Sequence, residues 1–151
     1  MASALIDTNV FVYSFDARET VKRRLAQRLL TELRPTGLAA ITAQVLGEFF
    51  RVATMRLSPA IPADRALSLV RDLAQSFPVW PLDERIVLEA ARGARDHRLH
   101  YCDAQVWAAA RLNGASSVLS EDFQDGRVIE GVTFRNPFRR GFDVRRLVAG
   151  G

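Results

Sequence analysis

The strongest constraint in this chain is a set of short apolar runs, each too brief for a helix, the first four of them separated by longer segments with helical spacing. The runs are Ala4-Leu5-Ile6 leading into Asp7, Leu38 to Ile41, Phe77 to Trp80, Ser117 to Leu119 and Val132 to Phe134. Ala4-Leu5-Ile6 and Leu38 to Ile41 are apolar throughout. Continuous apolar strands belong to parallel sheets covered on both sides. Strands that alternate with helices lead to the same architecture. The expected fold class is therefore α/β, a three-layer α/β/α sandwich with a five-stranded parallel sheet.

The intervening segments support this reading. Between residues 20 and 33, Val21, Leu25, Leu29 and Leu33 recur every fourth position, and Pro35 and Gly37 end the helix. Thr42 is placed to cap a helix running to about Met55. Pro62 suits the first turn of a helix over residues 63–75, with Ala66, Leu67, Val70 and Leu73 expected inward. Asp83 can cap a helix through Arg95 that carries Ile86, Val87, Ala90, Ala91 and Ala94. A last helix spans about Cys102 to Leu112 and stops at Asn113-Gly114. Residues 8–15 show no clean period. A length of 151 residues fits one core, expected over residues 1–138, with a loosely tied basic tail over 139–151.

Several function classes drop out. No apolar run approaches the ~20 residues that span a membrane. No basic segment precedes an apolar stretch at the N-terminus, so no secretory signal is expected. The one cysteine, Cys102, allows no internal disulfide and fits a cytoplasmic location; it is expected to be a small buried residue. The glycines form no phosphate-binding loop. Net charge is +4, from 21 basic and 17 acidic residues, and Lys22 is the only lysine. Arginine forks match phosphate geometry, and Arg135, Arg139, Arg140, Arg145 and Arg146 form the densest basic stretch. That stretch suits RNA, an acidic partner or plain solvation.

Four acids carry the chemistry. Asp7 follows the first strand and Asp122 the fourth. Asp103 opens a helix, and Glu48 lies about two turns into another, beside Val45 and Val52. In an open parallel sheet, ligands gather at the carboxyl ends of the strands, where Asp7 and Asp122 fall. Each acid has a plain alternative: a turn at Asp7-Thr8-Asn9, a helix cap at Asp103, a surface pair of Glu48 with Arg51 or Arg56, and an ordinary loop at Asp122 and Asp125. Taken together, they read as an oxygen-rich cluster suited to Mg²⁺ or Mn²⁺ rather than zinc. His97 and His100 have no cysteine pair beside them and read as a polar connector. Such a cluster can support phosphodiester hydrolysis, with paired ions ~3.5–4 Å apart. Thr8, Asn9 and Ser120 are short polar neighbours suited to orienting the ligands.

At these residues the chain resembles a PIN-domain ribonuclease, specifically a VapC-type toxin of a type II toxin–antitoxin pair. The matching segments are Ile6-Asp7-Thr8-Asn9-Val10, Gln44-Val45-Leu46-Gly47-Glu48-Phe49, Tyr101-Cys102-Asp103-Ala104, Leu119-Ser120-Glu121-Asp122-Phe123 and Asn136-Pro137-Phe138. No single piece is specific, whereas the ordered set is. The resemblance implies a five-stranded parallel sheet and an Mg²⁺- or Mn²⁺-dependent endoribonuclease acting on RNA. It implies homodimers and a small antitoxin that blocks the acidic pocket. Asp7, Glu48 and Asp103 carry over as metal ligands, and Asp122 as the fourth acid beside Ser120. Related sequences often have His where Asp125 stands. Glu121 is expected to point away from Asp122 if the segment is extended. Two other readings stay open: a non-catalytic RNA-binding or scaffold domain of the same family, and a nuclease acting on DNA or flaps.

Overall fold

The computed structural model describes residues 2–149. Met1 and the end of the expected tail, Gly150 and Gly151, lie outside the described residues. In chain order the elements are β1 (Ala4–Ile6), α1 (Thr8–Tyr13), α2 (Thr20–Leu33), β2 (Ala39–Thr42), α3 (Ala43–Met55), α4 (Ala63–Ser76) and β3 (Val79–Trp80). They continue as α5 (Glu84–His97), α6 (Tyr101–Leu112), β4 (Ser117–Leu119), β5 (Val128–Ile129), β6 (Val132–Arg135) and α7 (Arg145–Ala149). The strands form one sheet in the order β3-β2-β1-β4-β6-β5. All neighbours are parallel except β5, which runs antiparallel to β6. The five expected strands are all present and parallel.

β1 shows why the sheet is covered on both faces. Ala4 and Ile6 point into one core with Val10, Phe11, Leu33, Ile41 and Phe49, under α1 to α4. Leu5, between them, points into the other with Val118, Trp107, Ile86 and Phe134, under α5 and α6. Successive side chains leave opposite faces of a strand, so three apolar residues in a row serve two cores.

The sixth strand was not expected. β5 and β6 form a hairpin pairing Val128 with Thr133 and Ile129 with Val132. Its two turn residues, Glu130 and Gly131, both have positive φ, 46° and 84°. That is the geometry of a tight primed turn, which normally announces itself as Asn-Gly or Asp-Gly. Here a glutamate occupies the first position. Its carboxylate is held by Arg92 at 2.9 Å and His97 at 2.7 Å, so tertiary contacts fix a turn that local preference does not favour.

α1 also escapes the periodicity. It has six residues, too few for a pattern, and it forms because Asp7 caps it and because Val10 and Phe11 are buried. The caps expected at Thr42 and Asp83 are in place, accepting from Val45 N at 3.1 Å and Ile86 N at 3.1 Å. The cap of α6 is His100, through Nδ1 and Cys102 N at 3.4 Å, not Asp103. Some inward faces are rotated from expectation. α2 buries Ala26, Leu29, Leu30 and Leu33 while Val21 stays 68% exposed. α4 buries Ala66, Leu69 and Leu73 and leaves Leu67 outside. Cys102 is exposed rather than buried, because it sits on the open first turn of α6.

The C-terminal segment does not hang free. Phe138 and Phe142 pack against the first core, as does Val144, and Leu147 is buried in it. Phe138 meets Tyr13 edge-on at 5.0 Å. No helix among the described residues is long and apolar enough to cross a membrane.

α5 and α6 pack most closely at Gly93. A Cβ placed there would overlap the ring of Trp107, which is wholly buried and donates from Nε1 to Ile129 O at 3.1 Å. The ring cannot shift without losing that bond. Gly93→Ala gains helix propensity of about 1 kcal/mol but overpacks the core by about 1–3 kcal/mol. The variant is expected to melt at a lower temperature than the parent, and thermal unfolding followed by circular dichroism checks this.

Candidate active site

β1 and β4 are neighbours, so the residues that follow them meet at one edge of the sheet. Asp7 N donates to Leu119 O at 3.0 Å, which carries the pairing one step beyond β1. The Asp7 side chain is 6% exposed. Its Oδ1 accepts from Thr8 N at 2.7 Å, and its Oδ2 accepts from the Ser120 hydroxyl at 2.7 Å. Ser120 is wholly buried. Its Oγ in turn accepts from Asn9 Nδ2 at 3.0 Å and from Asp122 N at 3.1 Å. Asn9 Oδ1 accepts from Glu121 N at 3.3 Å. A short chain of hydrogen bonds thus fixes the start of α1 to the loop after β4, the loop that carries Asp122.

Asp7, Asp103 and Asp122 act on one another electrostatically. Burial pushes the Asp7 carboxyl up to about 6; the bonds from Ser120 and Thr8 oppose this, and the charges of Asp122 and Asp103 add to it. Asp103 is raised as well, first by burial and then by repulsion from Asp122, with His100 opposing. Asp103 lies in the first turn of α6, where unpaired backbone N–H groups favour a negative charge. Among the described residues, no ion pair involves Asp7, Asp103 or Asp122.

Glu48 stands apart from this trio. On α3 its carboxylate pairs with Arg51 at 2.9 Å, and its side chain is 43% exposed. This is the surface pairing that the sequence left open. Arg51 also lies within electrostatic reach of Cys102, the neighbour of Asp103. Among the described residues, no three His, Cys, Asp or Glu side chains stand close enough to grip one cation. The donor set nonetheless suits a hard ion. It consists of carboxylate oxygens, and Asp7, Asp103 and Asp122 have no ion-pair partner among the described residues.

Two further acids have other roles. Glu121 accepts from the Tyr13 hydroxyl at 2.6 Å and pairs with Lys22 at 2.7 Å. It clamps the loop after β4 onto α1 and α2. Asp125 accepts from Asn136 N at 2.8 Å and faces Arg139 at 3.6 Å, which ties that loop to the segment after β6. Lys22, the only lysine, gave no signal in the sequence beyond its rarity; its partner lies 99 positions away (22 to 121). A broad hollow of about 970 Å³ between α2 and residues 137–145 contains none of the four acids.

The family model described as the PIN domain matches residues 4–127. Several solved structures share the fold. A toxin–antitoxin complex from Klebsiella pneumoniae matches at 23% identity and a TM-score of 0.66, over 89% of this chain and 98% of that one. A sarcin–ricin-loop-cleaving VapC toxin of Mycobacterium tuberculosis matches at 19% identity and a TM-score of 0.59, over 80% and 90%. DNA-bound VapBC from Salmonella typhimurium matches at 17% identity and a TM-score of 0.61, over 91% and 99%. No curated protein sequence matches significantly.

The raised Asp7 carboxyl links stability to pH. Its folded value of about 6 lies above the ordinary 3.8, so burial favours the neutral acid. The stabilisation is complete below about pH 4 and is lost as pH rises through 6. A shift of this size is worth on the order of 2–3 kcal/mol. In chelator-treated protein, Asp7→Asn is expected to raise the melting temperature at pH 7.5 and to flatten its fall between pH 4 and 7. Equal pH profiles for parent and variant would contradict the assignment.

Proposed function

The chain belongs to the PIN-domain family, and from that premise we propose that it is a metal-dependent endoribonuclease toxin of the VapC type, restrained by an antitoxin. The observation that carries this reading is the trio Asp7, Asp103 and Asp122. They repel one another at the carboxyl edge of a parallel sheet, and among the described residues none of them has an ion-pair partner. Holding such acids together costs stability, and a divalent cation offsets that cost where a purely structural role does not.

Asp7, Asp103 and Asp122 would hold Mg²⁺ or Mn²⁺, with Glu48 as the fourth acid. When bound, the ion lowers the pKa of a water and stabilises the oxygen that departs from the phosphodiester. The chain's own part is positioning. Ser120 and the Thr8 N–H hold both oxygens of Asp7 and so fix the orientation of its carboxylate. Ser120 also accepts from Asp122 N, so one buried hydroxyl sets two of the acids. To join them, Glu48 would have to give up Arg51. An exposed pair of that kind contributes only about 0–1 kcal/mol, less than a cation returns. Once released, Arg51 would be free to contact a phosphate.

RNA as the substrate, a homodimer as the assembly and the cytoplasm as the location complete the proposal. The solved relatives support a partner protein: several are toxin–antitoxin complexes, two of them with DNA. The M. tuberculosis relative cleaves an RNA loop. An uncompensated acidic pocket is a natural target for an arginine from an antitoxin segment.

Purified protein with labelled RNA and Mn²⁺ tests the proposal. Cleavage is expected, and EDTA is expected to abolish it. Asp103→Asn is expected to lower cleavage by more than the 10–100-fold typical of a residue that only orients a ligand, with the melting temperature retained. Binding without cleavage by the parent favours the scaffold role. Equal cleavage of DNA of the same sequence favours a general nuclease.

A further inference from the structure

Beyond the acids, the same edge of the sheet carries an arginine-lined hollow that the proposed chemistry does not use. Arg135 ends β6, in register with Leu119 of β4. Its carbonyl accepts from Ser120 N at 3.0 Å, so the backbone of Arg135 abuts the residue that orients Asp7. From there the chain turns through residues 136–144. Arg135, Arg139, Arg140 and Arg146 surround a hollow of about 120 Å³, together with Asp125 and Asp143. Two of these charges are matched within the group's surroundings: Asp125 faces Arg139, and Asp143 pairs with Arg145. Among the described residues, Arg135, Arg140 and Arg146 have no acidic partner within ion-pair distance.

Three guanidinium groups without an ion pair around one hollow carry a cost, eased in part for Arg146 by the charge of Asp143. Like charges gathered on one segment repel, and a solvated tail would spread them. This segment cannot spread freely, because Phe142 and Val144 pack on the first core and Leu147 is buried in it. The apolar residues hold the backbone while the arginines face out. The hollow is also joined to the acidic edge, since Asp125 lies three residues after Asp122 in the same loop and accepts from Asn136 N at 2.8 Å.

We infer that this hollow is a phosphate subsite, which takes the backbone of the RNA strand one or more nucleotides away from the bond held at the acids. This deepens the RNA-cleaving reading and rests on it for the identity of the strand. A polyanion threaded along the sheet edge cannot rest on acids alone; the phosphates beyond the metal need fixed positive charge. Guanidinium forks supply it with paired N–H donors matched to phosphate oxygens. An acidic protein segment would meet the same charges, but nothing would then require the hollow to sit at the strand end that also carries Ser120 and Asp122.

The test compares binding, not turnover. Full-length protein carrying Asp103→Asn binds a labelled single-stranded RNA without cutting it, and fluorescence anisotropy reads the affinity across a salt series. Adding Arg135→Gln, Arg140→Gln and Arg146→Gln is expected to weaken binding at least about tenfold at 0.1 M salt. The slope of log affinity against log salt is expected to fall by about 2, near 0.7 for each phosphate on a single strand that is no longer neutralised. A control carrying Arg56→Gln, Arg65→Gln and Arg71→Gln, all exposed on the α3–α4 side, is expected to bind as the parent does. An equal loss in the control makes the effect general charge and overturns the subsite. Unchanged RNA binding in the first variant with lost binding of poly-glutamate overturns it in favour of an acidic protein. Loss confined to the first variant, in a parent that never cleaves RNA, keeps the subsite and removes the hydrolytic reading. Cleavage by the parent with no loss in the variant does the reverse.

Discussion

The bond from the Ser120 hydroxyl to Asp7 Oδ2, 2.7 Å long between residues 113 positions apart, is the interaction on which the site depends. It joins the ends of β1 and β4, the two central strands of the sheet. It places a carboxylate where water is excluded and charge is costly. The same oxygen of Ser120 receives Asn9 and Asp122 N. One hydroxyl therefore sets the start of α1, the direction of Asp7 and the loop that carries Asp122. A hydroxyl suits this position because it can donate once and accept twice. An alanine would leave Asp7, Asn9 and the Asp122 N–H each short of a partner, Asp7 in a buried place.

Asp7 also illustrates how a local role and a chemical role share one residue. As a cap it accepts from Thr8 and starts a six-residue helix. As a buried acid it is repelled by two others. The cap alone would be equally well made by serine or asparagine, which carry no charge to bury. What distinguishes aspartate here is the second oxygen, bonded by Ser120, and a charge that feels Asp122 and Asp103. The simple turn reading of Asp7-Thr8-Asn9 is thus correct locally and insufficient, because it accounts for Oδ1 and not for Oδ2.

The architecture was legible because burial on two faces leaves so plain a mark. Ala4-Leu5-Ile6 serves two cores and has no room for a polar residue. What stayed hidden depended on distant partners. The Glu130-Gly131 turn is stabilised by Arg92 and His97 rather than by its own residues, so β5 had no local signature. α1 is shorter than the period used to find helices. The inward faces of α2 and α4 turned by about one residue, since leucines occur on both sides of the stripe and only packing chooses among them. In the site, the place of Asp7 and Asp122 followed from strand order, because residues after adjacent parallel strands must meet at one edge. Glu48 did not follow in the same way. Its position on α3 was fixed by the helix, but its carboxylate had Arg51 one turn away, and local pairing decides where an exposed side chain rests.

Charge is sorted along the sheet edge in a way that bears on how a polyanion could approach. The chain is basic overall, +4, yet the middle of that edge is acidic. A strand of nucleic acid drawn by the surface would be turned away at Asp7, Asp103 and Asp122 unless a cation covered them. The arginines after β6 lie beyond the acids, past the loop held by Asp125 and Asn136. A field of this shape attracts at the flank and admits at the centre only when the centre is neutralised. On the proposed reading, a divalent ion would offset the acids' mutual repulsion and make the edge continuous in sign with its flank. On that reading, metal and substrate would bind in a coupled manner: each would lower the electrostatic cost of the other.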